Sequence, residues 1–102
     1  MAGAFVWSDA WLLLAVIYAG RPADRETLRR FGDGINHALL SDEELEGGLQ
    51  RLQAAEYVAE SDQGFQPTPV VLDWYQRNSP PRARIHKDLE RVEGFLGVRR
   101  RG

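Results

Sequence analysis

The chain contains no cysteine. Disulfides, thiolate metal sites and cysteine nucleophiles are thereby excluded, and a cytoplasmic location is the expectation. It also lacks a glycine-rich phosphate loop, because Gly32-x-Gly34 has neither a third glycine nor a preceding strand. The two histidines, His37 and His86, lie too far apart to make a metal motif. His37 sits with Asp33 and Asn36, and that grouping reads as turn and cap chemistry before it reads as an acid–base pair. With no nucleophile, metal or cofactor signature, neither a cofactor nor an enzymatic activity is expected. Long apolar runs are missing too. Residues 10–19 (AWLLLAVIYA) form the longest, well short of the ~20 residues that a helix needs to span a bilayer. No basic segment precedes the run, so it reads as a buried helix, with no leader and no membrane partner. Finally, residues 52–66 hold no Lys or Arg.

What is present fits one small domain with a modest core. The chain has 102 residues, of which 43% are hydrophobic and 27% charged. Its net charge of −2 is unevenly spread. Residues 1–66 carry five Arg against eleven acids, a net −6, whereas residues 67–102 carry seven Arg and Lys87 against four acids, a net +4. An acidic body with a basic C-terminal part suits self-association or a charged partner.

The first helix is expected to start at Ser8 or Asp9, both good N-caps. It is apolar on nearly every side and should be central. Gly20 and Pro22 end it. A second helix starts near Ala23 or Asp24, turns Leu28, Phe31 and Ile35 inward, and is expected to fray or end at Gly32-Asp33-Gly34. An apolar connector follows. Ser41 and Glu44 then form an S-x-x-E capping box, with Leu40 placed as a staple. Leu45, Leu49 and Leu52 make the buried stripe of the third helix. Gly47 and Gly48 each cost roughly 1 kcal/mol relative to Ala in mid-helix, which is explained either by close approach of a neighbouring element or by simple tolerance inside a well-packed core. Residues 57–60 and 64–66 read as two strands joined by the turn Ser61-Asp62-Gln63-Gly64. Thr68-Pro69 starts a fourth helix loaded with Val71, Leu72, Trp74 and Tyr75. After Asn78-Ser79-Pro80-Pro81, a last helix runs from about residue 82 to 96. Its seam is Ile85, Leu89, Val92 and Leu96, suited to pairing with its own chain or with a second copy. The chain closes on Arg99-Arg100-Arg101-Gly102, expected to be a mobile tail.

The fold expected is mainly α with a small β-hairpin: a winged helix-turn-helix domain over residues 1–78, then a C-terminal helix and basic tail over residues 79–102. The order helix, helix, helix, hairpin, helix, helix, with LxxxLxxL before the hairpin and FxPTP after it, resembles winged-helix transcriptional regulators, most closely the PadR-like and MarR-like groups. The likeness covers residues 8–78. It implies a third helix that reads the major groove, a hairpin wing, and a C-terminal helix that forms dimers.

That resemblance implies double-stranded DNA as partner and transcription regulation as role. The positions it assigns to base reading fall on Glu43, Gly47, Gln50 and Arg51. Gln50 and Arg51 have side chains that can read adenine and guanine. Arg29 and Arg30 of the second helix are further DNA-binding candidates. A homodimer through Ile85, Leu89, Val92 and Leu96 would supply half-site spacing. The acids oppose this role. Asp42, Glu43, Glu44 and Glu46 crowd the start of the third helix, and carboxylates there repel the phosphate backbone that supplies much of DNA affinity. The alternative expectation is a winged-helix protein-interaction module, in which those four acids form a face for a basic protein partner.

Overall fold

The computed structural model describes residues 5–99. Its elements run α1 (Trp7–Ala19), α2 (Arg25–Asn36), α3 (Asp42–Ala54), β1 (Val58–Ser61), β2 (Gly64–Pro67), α4 (Pro69–Asn78) and α5 (Ile85–Leu96). The chain is therefore mainly α with one two-stranded antiparallel hairpin and a C-terminal helix. That order is compatible with a winged helix. No helix among the described residues is long and apolar enough to cross a membrane.

Helix α1 has almost no polar face and takes the centre. From residue 10 to residue 17 no residue is more than 8% exposed, and α2, α3 and α5 all pack on it. It begins earlier than the expected start at Ser8 or Asp9, with Val6 in the cap position. Valine has no side-chain acceptor, so the capping chemistry comes from inside the helix. The Asp9 carboxylate accepts the Val6 amide at 3.0 Å, and the Asp9 amide donates to the Val6 carbonyl at 3.0 Å.

Helix α2 is capped by Asp24, whose carboxylate accepts the Thr27 amide at 2.8 Å. The expected break at Gly32-Asp33-Gly34 does not occur. The helix continues to Asn36 and ends on His37, in the left-handed region at φ 56°. Packing overrides propensity here: Gly32 is buried against α1, and its carbonyl accepts Trp11 Nε1 at 2.8 Å. Leu28 and Ile35 face inward as expected, but Phe31 remains 37% exposed, because it edges an open groove instead of the core.

Helix α3 follows the sequence reading closely. Ser41 Oγ accepts the Glu44 amide at 3.1 Å, and Glu44 Oε1 accepts the Ser41 amide at 2.9 Å. Leu45, Leu49 and Leu52 are buried, as is Leu40 before the cap. Gly48 lies where α3 meets α1. A Cβ there would come within 2.7 Å of Leu12 Cδ2 and 2.9 Å of Asp9 Oδ1, so close approach is the reason for this glycine.

The hairpin pairs Val58 with Pro67 and Ser61 with Gly64, a one-residue shift from the strands expected at 57–60 and 64–66. It is tied to the stretch before α2. Ala23 donates to the Phe65 carbonyl at 2.9 Å and accepts from the Phe65 amide at 2.8 Å. Gly64, at φ 128°, leaves room for the Ala23 backbone. Pro69 opens α4 as expected, but the Thr68 side chain does not cap it; its hydroxyl donates to the Glu56 carbonyl at 2.8 Å. Val71 is buried, whereas Leu72 is 38% exposed and lies outside the core.

Helix α5 starts at Ile85, three residues later than expected. Pro80-Pro81 and a left-handed Arg82 at φ 65° hold the preceding linker out of helical geometry. Leu89, Val92 and Leu96 then join the same core as α1. Phe95 adds ring contacts to Trp74 at 4.4 Å and Tyr57 at 4.9 Å.

Two of the helical glycines, Gly34 and Gly48, make opposite predictions. Gly34→Ala meets no atom within 4 Å and should raise stability by about 0.5–1 kcal/mol through helix propensity. Gly48→Ala gains the same propensity but overpacks α1, and should lower stability by about 1–3 kcal/mol. Urea unfolding of both variants checks the pair.

Candidate interaction face

The acids of α3 meet the arginines of α2 across a narrow seam. Arg29 Nη2 forms an ion pair with Asp42 Oδ1. Arg25 embraces Glu46, with Nη2 at 3.1 Å from Oε1, and also lies over the Phe65 ring at 5.1 Å. The Arg25 guanidinium holds the Glu46 carboxyl below its ordinary range. Both pairs are open to solvent, so each contributes little to stability. Their effect is on surface chemistry, since they commit two α2 cations to the chain's own carboxylates. Glu44 is occupied in the capping box. Glu43 is exposed and has no partner among the described residues.

Arg51 is turned away from the outer face of α3. Its Nε donates to Asp9 Oδ2 at 2.7 Å and its Nη2 to Asp9 Oδ1 at 2.9 Å. The Asp9 side chain is fully buried and that of Arg51 is 37% exposed, a two-pronged pair of the strong kind. Among the residues picked for DNA reading, Gln50 is exposed on α3, and Arg51 is held beneath the helix. Arg30 is the loosest of the arginines near this seam. It is 4.0 Å from Glu26, with 72% of its side chain exposed. The hairpin beside α3 presents Glu60 and Asp62 to solvent and carries no Lys or Arg.

The expected dimer seam is largely consumed within the chain. Leu89, Val92 and Leu96 are buried against the body, and only Ile85, 43% exposed, faces outward. Arg100, Arg101 and Gly102 of the basic tail lie outside the described residues. His37 closes α2, and His86 is exposed on α5.

One polar cluster lies outside the sites picked from the sequence. Asp88, an acid between the seam residues Ile85 and Leu89, is 2% exposed. Its Oδ2 accepts the hydroxyls of Tyr18 and Tyr75, each at 2.6 Å. Its Oδ1 accepts Ser79 Oγ at 2.6 Å and Arg91 Nη1 at 3.1 Å. Burial pushes the Asp88 carboxyl up, but Ser79, Tyr18, Tyr75 and Arg91 together outweigh it and hold it below the ordinary carboxylate range. Burial, reinforced by Asp88, pushes both phenols up, so they keep their protons and donate. A carboxylate with four donors has no spare acceptor site, and the cluster is a clamp joining α1, α4 and α5. The sequence signals for it are Tyr18, whose hydroxyl at the end of an apolar helix needs a partner, and the helical spacing of Asp88 from Ile85 and Val92, which puts it on the buried face of α5.

Comparison with protein families, with curated proteins and with solved structures finds no match for this chain.

Two predictions follow from the buried carboxylates. Arg51→Met strands the Asp9 charge and should cost about 3 kcal/mol or more, measured by urea unfolding; Asp9→Asn added to it should recover part of the loss. The folded pKa of Asp88 lies below its unfolded value, so its stabilisation is present above the ordinary carboxylate range, near pH 4, and is lost as pH falls through the folded value. Asp88→Asn should therefore lower Tm at pH 7 and flatten the acid limb of a Tm-versus-pH series.

Proposed function

We propose that this protein is a non-enzymatic winged-helix interaction module whose acidic α3 face takes a basic protein segment, in preference to a DNA-binding regulator of the PadR-like or MarR-like kind. One observation carries this reading. The three arginines nearest that face, Arg25, Arg29 and Arg51, are each committed to a carboxylate of the same chain. Among the exposed residues of α3 and the hairpin, the acids left without an ion pair are Glu43, Glu60 and Asp62, with Gln50 beside them as a neutral polar residue. Such a surface offers phosphate no compensating cation, and neutralising phosphates with basic residues is the main source of DNA affinity. The same surface attracts Lys- and Arg-rich peptide, with charge setting the on-rate and selectivity.

The test is fluorescence anisotropy with two probes, a random-sequence duplex and a Lys-rich peptide, each at low and moderate salt. The expected outcome is no duplex binding, and peptide binding that weakens with salt and is lost in Glu43→Lys/Asp62→Lys. Duplex binding that falls steeply with salt would restore the regulator reading, with Gln50 and Arg30 as the first residues to substitute.

A further inference from the structure

Away from the acidic face, the surface between α2 and the start of α5 is concave and of a different character. A cavity of about 310 Å³ is walled by Tyr18, Phe31, Gly34, Ile35 and Ile85, with Arg30 at its rim. It adjoins a second cavity of about 610 Å³, which shares Tyr18 and Ile85 and extends over Pro80, Pro81 and Arg82. Two of the few large apolar residues left in solvent, Phe31 at 37% and Ile85 at 43%, meet here from opposite ends of the sequence.

The charge of this groove has one sign. Asp88 is the sole carboxylate among its lining residues, and it is buried and already holds four donors. The cations at the rim are Arg30, whose only ion pair among the described residues is a loose 4.0 Å contact to Glu26, and Arg82, exposed and with no ion pair among the described residues. An apolar floor with arginines at the edge complements a ligand that is apolar on one side and acidic on the other. We infer that this groove is a docking site for an acidic amphipathic segment of a partner protein, which places bulky apolar side chains between Phe31 and Ile85 and carboxylates against Arg30 and Arg82. The site is separate from the α3 face, so its failure leaves the reading of that face standing, and the converse also holds.

Gly34 supplies a clean probe of the groove. It lies within α2, and a Cβ there meets nothing within 4 Å, so Gly34→Glu adds bulk and like charge to the wall without disturbing the chain's own packing. The assay is anisotropy of a labelled peptide with Leu at helical spacing and Glu elsewhere, with polyglutamate and a Lys-for-Glu version of the peptide as controls. The Leu–Glu peptide should bind saturably and both controls should not. Gly34→Glu and Arg30→Glu should each weaken binding by about tenfold or more, with circular dichroism and Tm showing the variants folded. No saturable binding by the folded wild type would overturn the proposal, as would binding that persists in Gly34→Glu or equal binding of polyglutamate. Sedimentation completes the test. If the protein without peptide gains mass with concentration and Gly34→Glu abolishes that gain, the groove belongs to a second copy and the partner assignment is overturned.

Discussion

A helix buried on every side cannot leave its polar atoms to water, and α1 is such a helix. Its apolar side chains are interchangeable in kind, so they drive burial without saying which neighbour lies where. Its polar atoms do say. Asp9 requires Arg51 of α3, Trp11 Nε1 takes the carbonyl of Gly32 in α2, and Tyr18 reaches Asp88 of α5. Near its start, Trp7 Nε1 donates to Glu93 of α5 at 2.7 Å. Each helix packed on α1 is thus fastened by at least one hydrogen bond that a slipped register would break. Leaving any of these groups unsatisfied in the core costs more than the bond contributes when made, so the penalty selects one arrangement.

This constraint reaches the surface. Arg51 is the residue that the resemblance to winged-helix regulators assigns to base reading, yet it is the only cation placed to neutralise Asp9 among the described residues. The core's requirement therefore removes it from the face. Arg25 and Arg29 are drawn down in a similar way by Glu46 and Asp42. What a partner meets is the charge left over after internal pairing. On α3 and the hairpin that remainder is acidic.

Much of α3 was legible in the sequence because its signals are local. The capping box spans four residues, the leucine stripe follows helical spacing, and Gly48 in mid-helix announced a close contact. The misread features all depend on tertiary partners. Asp9 has capping chemistry, but from inside the helix, since a distant arginine makes its burial tolerable. Gly32 and Gly34 have the propensity to end α2, but α1 is packed over Gly32 and the helix runs on. Phe31 has core-grade chemistry and helical spacing, and is exposed because no element covers it. Asp88 was invisible for the opposite reason: its spacing from Ile85 and Val92 puts it on the buried face of α5, but its charge argues for solvent unless the two tyrosines and the serine that receive it are known.

The uneven charge of the chain gains meaning from the way its ion pairs are distributed. Arg25–Glu46, Arg29–Asp42, Arg30–Glu26 and Arg51–Asp9 all lie within residues 1–66. Arg77–Asp73, Lys87–Glu90 and Arg91–Asp88 all lie within residues 67–102. Among the described residues, then, the acidic and basic parts of the chain do not neutralise one another. Each ion pair removes equal and opposite charge from its own part, so among the described residues the negative excess of the first and the positive excess of the second are not cancelled by pairing between them. The negative remainder includes the exposed acids of α3 and the hairpin, and the positive remainder includes Arg82, Arg84 and Arg99. The unpaired charge of the two parts is thus of opposite sign among the described residues. Interactions that depend on such exposed charges are sensitive to salt, because exposed charges are screened far more than a pair with a fully buried partner such as Arg51–Asp9.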